Sequence, residues 1–177
     1  MKTKAFWAAA VVLLLSGTAA LAGERFEAKV IGVADGDTIT VLFIEGATKT
    51  PRRIRISGID APEKAQAFGM VARETMGQMA FGRQAEVECR TTDRYGRSIC
   101  LVRVDGIDVG LRLIESGLAW HYKRYANTQP REEAASYAVA ESVARVAKTG
   151  LWRDLETAGP PVPPWDWRKV KSSELVH

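Results

Sequence analysis

Ile31-Gly32-Val33-Ala34-Asp35-Gly36-Asp37-Thr38-Ile39-Thr40-Val41 places β-branched, apolar residues on both sides of an Asp-Gly pair. Asp-Gly between two such runs is a strong short-range hairpin signal, because a tight turn needs backbone angles that glycine reaches without steric cost. Strands are therefore expected at residues 26–33 and 39–43. A loop over 45–51 leads to a third strand at 53–59, which Pro62 ends because proline cannot donate to a ladder.

Beyond Pro62 the period changes. Residues 65–81 lack proline, and Phe68, Val71, Ala72, Met76 and Met79 recur near helical spacing, so a helix is expected there. Strands follow at 85–90 and 98–104, joined through Asp93-Arg94-Tyr95-Gly96-Arg97, and Asp105-Gly106 makes a second turn. Asp108 can cap a short helix over 109–116 with Gly117 as its left-handed stop. A last helix over 131–148 ends near Gly150. Five strands, a helix between the third and fourth, and helices after the fifth give an α+β, mainly β class: a five-stranded OB-fold barrel with about three α-helices.

At the amino terminus, Lys2 and Lys4 precede an apolar run over 5–15 that is short for a membrane span, and Ala20-Leu21-Ala22 supplies a small-residue cleavage pattern. Residues 1–22 read as a signal peptide, with an anchor helix left in place as the alternative. The protein is then exported, periplasmic or secreted, and keeps no membrane anchor after cleavage. About 155 residues remain, enough for one domain over 23–158 and a Pro/Trp-rich tail over 159–177. Trp165 and Trp167 suggest that this tail docks back on the barrel; a proline-rich ligand for a partner is the other reading.

Lys2 and Lys4 belong to the expected signal peptide, so 23 basic residues face 21 acidic ones in the remainder. Net charge alone therefore says little about nucleic acid. Placement says more: Arg52, Arg53, Arg55, Arg94, Arg97, Lys123 and Arg124 all sit beside the motifs that carry chemistry. Two cysteines, Cys89 and Cys100, flank the turn-like stretch over 91–98, and they either form a disulfide or stay as two small core residues. With His121 and His177 as the only histidines, a zinc site or a histidine-based centre lacks ligands.

Three short motifs remain: Asp35-Gly36-Asp37-Thr38, the run Arg55-Ile56-Ser57-Gly58-Ile59-Asp60-Ala61-Pro62-Glu63, and Asp93-Arg94-Tyr95-Gly96-Arg97. Each alone reads as a polar turn. Together they hold what phosphodiester cleavage needs. Asp37 and Asp60 are hard oxygen ligands for Ca²⁺ or Mg²⁺, Glu63 is a candidate general base, and Arg55 and Arg97 can grip phosphate oxygens in a two-pronged fork. Arg55 and Asp60 are five residues apart, so strict strand alternation would send them to opposite faces, and a break near Gly58 is required. Tyr95, Trp120, Tyr122 and Tyr125 are candidates for stacking on bases, although each taken alone reads more readily as ordinary packing or a surface aromatic. Trp152 is assigned to the core and His121 to a structural role.

The order of the three motifs among these strands resembles the staphylococcal (micrococcal) nuclease family, over roughly residues 26–152, including Gly117-Leu118-Ala119 and Gly150-Leu151-Trp152. The resemblance implies a calcium-dependent nuclease of DNA or RNA, endonucleolytic and leaving 3′-phosphate ends, and a monomer is expected. It implies that Asp37 and Asp60 bind the metal directly, that the main-chain carbonyl of Ala61 joins them where the family usually has threonine, and that Asp35 supports them. It also implies that Glu63 orients or deprotonates the attacking water and that Arg55 and Arg97 contact the scissile phosphate. Tyr125 matches a family tyrosine near the nucleotide phosphate, and Lys123 replaces its neighbour. The residue types alone suit Ca²⁺ or Mg²⁺; the resemblance favours Ca²⁺. The segment between Glu63 and Phe68 is shorter than in the family's best-known member, which bears on endo- against exonuclease action. Two other classes fit less of the sequence: a noncatalytic OB-type module for single strands, which has no use for the carboxylates, and an exported scaffold held by Cys89 and Cys100, which leaves both arginines idle.

Overall fold

The computed structural model describes residues 23–124, 129–154, 157 and 159–174, with no side-chain detail for 171–174. The expected signal peptide and Tyr125 lie outside these residues. The chain runs β1 (Glu24–Val33), β2 (Thr38–Glu45), β3 (Thr48–Ile56), β4 (Ile59–Asp60), α1 (Gly69–Ala80), β5 (Gln84–Thr92), β6 (Ser98–Val104), β7 (Ile107–Asp108), α2 (Val109–Glu115), β8 (Trp120–His121), α3 (Arg131–Val146), a 3₁₀ turn (Gly150–Trp152) and α4 (Pro164–Glu174).

The long strands pair in the order β3-β2-β1-β5-β6, antiparallel throughout, and a parallel pairing of Ile54, Arg55 and Ile56 with Ser98, Ile99 and Cys100 closes them into a five-stranded barrel. Closure follows the side-chain pattern. Successive residues of a strand face opposite ways, and Ala28, Val30, Ile39, Val41, Ile54, Ile56, Val87, Cys100, Val102 and Val104 all point into one buried cluster. Ala72, Met76 and Ala80 of α1 join the same cluster, as do Leu113 and Ile114 of α2 and Tyr137 of α3. A second cluster of Trp120, Ala144, Leu151 and Trp152 lies under the 3₁₀ turn, so Trp152 is a core residue as its sequence context suggests.

Three local features depart from the expected boundaries. The second hairpin is tighter than a loop over 45–51: Gly46 turns at φ 57° and β3 already pairs from Thr48, with Pro51 opposite Leu42. Pro51 is tolerated because β6 meets β3 only from Ile54 onward, leaving the earlier half an edge that needs no N–H there. Helix α1 begins at Gly69 rather than at 65, since residues 63–69 are spent on turn bonds from Gln66 N to Glu63 O and from Gly69 N to Gln66 O. A side chain at 69 would collide with the Glu63 carbonyl, so glycine is required for this close approach. The tail also forms a fourth α-helix where three were expected. α4 opens on Pro164, the first-turn position where a missing N–H costs nothing.

The tail docks. The Trp165 ring sits 6.3 Å from Trp120 and 5.5 Å from Tyr122, centroid to centroid. Across β5 and β6, Cys89 faces Cys100 and the two form a disulfide. Among the described residues no helix is long and apolar enough to cross a membrane.

Candidate active site

Gly58 decides where the site forms. β3 stops at Ile56, Gly58 takes a left-handed φ of 72°, and the chain re-enters pairing as β4, where Ile59 and Asp60 face His121 and Trp120 of β8. This break turns the Asp60 carboxylate toward the face that carries Arg55. The two then meet directly, with Arg55 Nη2 donating to Asp60 Oδ1 at 2.7 Å and to the Ile59 carbonyl at 3.2 Å. The five-residue spacing that alternation would have split is thus reconciled by one glycine.

Asp37, the last residue of the turn that leads into β2, comes to the same point. Its Oδ1 accepts from the other prong of Arg55 and from the Thr38 hydroxyl at 3.0 Å, and its Oδ2 accepts from Ala61 N at 2.8 Å. Asp35 lies behind it and accepts from Asp37 N at 3.1 Å. Gly36 allows this packing, because a side chain there would press into Ala61 and Ala72. The Arg55 side chain is 15% exposed and both aspartates are buried, so the charges act through little intervening water.

Electrostatics follow from this burial. Burial alone would raise the Asp37 carboxyl, yet Arg55, the Ala61 N–H and the Thr38 hydroxyl hold it below its usual range. Burial, joined by the charge of Asp37, pushes Asp35 up to about 6. Burial also pushes Asp60 upward, against the pull of Arg55 and Arg168. Its charge therefore depends on keeping cations beside it.

Arg97 arrives from the β5–β6 turn. Asp93 fixes it, accepting from Arg97 N at 3.0 Å and from Arg97 Nε at 2.7 Å, and Arg97 Nη1 reaches the Thr38 hydroxyl at 3.4 Å. Thr38 therefore links both arginines through Asp37, a contact that the sequence does not reveal. Glu63, three residues past Asp60, points its half-exposed carboxylate into the same cleft, which measures about 1950 Å³.

The remaining candidates are less centred. Tyr95 is 70% exposed at the turn tip with the Arg94 and Arg97 guanidiniums 5.0 and 5.6 Å from its ring. Tyr122 leans on Trp165, and Lys123 pairs with Glu141 at 3.2 Å; both line the cleft. Trp120 is buried between Trp152 and Trp165 and is a packing residue. His121 is buried and bonded to Gln129 through Nε2 at 3.1 Å.

One further residue enters unannounced by any motif. Arg168 of α4 bonds Glu63 Oε1 and Asp60 Oδ2, each at 2.7 Å. Its only trace in the sequence is a cation after Trp165-Asp166-Trp167, with no spacing that ties it to residues more than a hundred positions earlier.

Among the described residues no three histidines, cysteines or carboxylates form a ready metal cluster. The donor set still suits a hard divalent ion: Asp37 and Asp60 present oxygens only, and both Oδ1 atoms converge on the one Arg55 guanidinium. Two carboxylates with water fit Ca²⁺ or Mg²⁺ by ligand type, and the guanidiniums now hold that charge.

Comparison with known proteins agrees with this geometry. A family model described as "Staphylococcal nuclease homologue" matches residues 53–154. "Protein ParB" of Escherichia coli is 35% identical over 175 residues, covering 94% of this chain and 91% of that protein. An "Uncharacterized endonuclease" of Escherichia coli O157:H7 is 39% identical over 144 residues, 81% of this chain and 85% of its own. A "Micrococcal nuclease" of Shigella flexneri is 32% identical over 175 residues, 94% and 92% of the two chains. The OB-type barrel, the three motifs brought to one cleft and these matches together place the chain in the staphylococcal nuclease homologue family.

Proposed function

We propose that this nuclease is an exported enzyme that hydrolyses phosphodiester bonds of DNA or RNA within strands, with calcium as cofactor and 3′-phosphate ends as products. The observation that carries the reading is the meeting of Arg55, Asp37 and Asp60 at one buried point, with Glu63 and Arg97 opening onto the same cleft. A bound divalent ion would be held by Asp37, Asp60 and the Ala61 carbonyl, with Asp35 behind, and would supply positive charge at the phosphate and polarise a water.

The chain's own residues do the rest. Glu63, accessible from the cleft, accepts the proton of the attacking water or holds that water in line. Arg55 and Arg97 grip the non-bridging oxygens and stabilise the charge that grows as phosphorus becomes five-coordinate. Tyr95, exposed between two guanidiniums, is a stacking platform for an unpaired base. Buried carboxylates would only weaken an anion-binding module, so catalysis explains them and mere strand binding does not. Export is supported by the Cys89–Cys100 disulfide, since such bonds persist in oxidising compartments.

The test is cleavage of single-stranded DNA and RNA by the processed chain with calcium, magnesium or chelator, beside Glu63→Gln. Calcium-supported cutting that falls on the order of 10²- to 10⁴-fold in the variant is expected. A folded wild type that binds strands and cuts none with either metal would overturn the reading.

A further inference from the structure

Arg168 reaches the catalytic carboxylates from outside the barrel. Its Nη1 donates to Glu63 Oε1 and its Nη2 to Asp60 Oδ2, both at 2.7 Å, while Nη1 also lies 3.4 Å from Asp60 Oδ1. Asp60 Oδ1 meanwhile accepts from Arg55. Each oxygen of the buried Asp60 carboxylate is thus engaged by a guanidinium.

The two guanidiniums are held very differently. Arg55 sits in β3 between β2 and β6, with its side chain mostly buried. The Arg168 side chain is 43% exposed and rides on α4, which follows the segment Gly159-Pro160-Pro161-Val162-Pro163. The contacts that dock α4 include Trp165 against Trp120 and Tyr122, a bond from Gln66 Nε2 to the Val162 carbonyl at 3.1 Å, and those of Arg168 itself. Arg168 is therefore the cation that can leave without opening the barrel.

A divalent ion at Asp60 would compete with Arg168 for Oδ2 and would stand close to a like charge in a poorly screened site. The same guanidinium donates to Glu63 Oε1, an oxygen that a general base would offer to the attacking water. Both contacts oppose the chemistry of the site. We propose that α4 is an autoinhibitory latch in which Arg168 and a divalent cation compete for Asp60, so that cation entry frees Glu63 and opens the cleft. This rests on the reading of Asp60 as a metal ligand. Because coupling is reciprocal, whatever loosens α4 tightens cation binding by the same factor that the cation loosens α4.

The experiment measures cation binding without nucleic acid. Calorimetric titration of Ca²⁺, then Mg²⁺, is run on the full processed chain, on Arg168→Ala, on Arg168→Lys and on Asp60→Asn, with tryptophan emission followed in parallel. Arg168→Ala is expected to bind Ca²⁺ on the order of tenfold more tightly than wild type at the same stoichiometry. Arg168→Lys, which keeps the charge and loses the fork, falls between them, and Asp60→Asn binds poorly. Wild-type emission is expected to change along the binding curve as Trp165 leaves Trp120, and this change is lost in Arg168→Ala. Equal or weaker Ca²⁺ binding by Arg168→Ala, with wild-type binding intact, overturns the latch and leaves the metal reading standing. No binding of either ion by any of the proteins overturns both together.

Discussion

Asp93 holds Arg97 in place through its backbone and side chain, and it also accepts from Tyr95 N at 2.9 Å. Slight burial opposes its charge, but these bonds outweigh it and lower the carboxyl below its ordinary 3.8. A lowered folded value means that this stabilisation is complete above the unfolded value near 3.8 and fades as the pH falls through the folded one. A carbon-detected titration should place the Asp93 midpoint below 3.8, and a midpoint at or above it would contradict the bonding seen here. The fork matters as much as the charge. Arg97→Lys keeps one cation but cannot bond Asp93 and phosphate in the same planar geometry, so kcat/KM should fall about 10²-fold with little change in stability, as steady-state kinetics and thermal melting would show. At this scale the choice of candidates was legible in the sequence, because Asp37, Asp60, Glu63, Arg55 and Arg97 are residue types whose chemistry is fixed by their side chains, and the structure brings them to one cleft. Thr38 and Arg168 were not legible, since a hydroxyl in a strand and an arginine in a tail have many ordinary uses.

Between strands, the decisive element is the break at Gly58. The sequence demanded a distortion there, because Arg55 and Asp60 could not otherwise face each other, and the structure supplies it as a left-handed glycine followed by the two-residue strand β4. A Cβ at this position would run into the Gln129 amide and lie 3.0 Å from the Tyr137 ring, on top of the strain of a positive φ. Gly58→Ala should therefore cost about 2–4 kcal/mol in denaturant unfolding and reduce activity further than stability alone explains, by moving Asp60. The cap of α2 offers a contrast that touches no reacting group. Asp108 accepts from Gly110 N, Leu111 N and the Tyr137 hydroxyl, so Asp108→Ala should lose about 2–3 kcal/mol while kcat is kept. The cap was readable because aspartate before an apolar helical run has a local cause. The early start of β3 was hidden because Pro51 argues against a strand until the edge it occupies is known.

For the molecule as a whole, closure comes from one long-range pairing, β3 on β6, and the hairpin that brings β6 there is the one that the disulfide crosses. Sequence order suggested five strands in barrel sequence, and the two tail tryptophans suggested docking, but neither showed the fourth helix or where it lands, because Trp165 meets Trp120 across a fold that must form first. The disulfide belongs to this scale too, since it constrains the unfolded chain more than it shapes the site. Linking two cysteines 11 residues apart removes unfolded-state freedom worth about 2–3 kcal/mol, and both sulfurs also lie in the core. The double variant Cys89→Ala, Cys100→Ala should thus unfold at a lower denaturant midpoint by about that free energy, and reductant should shift wild type in the same direction while leaving the variant unmoved. Arg97 sits on the turn that the bridge closes, but Asp93 and the β5–β6 ladder still hold it, so cleavage measured well below the midpoint should remain within a few-fold of wild type. A wild-type midpoint that ignores reductant would mean that the barrel's closing strands, not the bridge, set the stability of this hairpin.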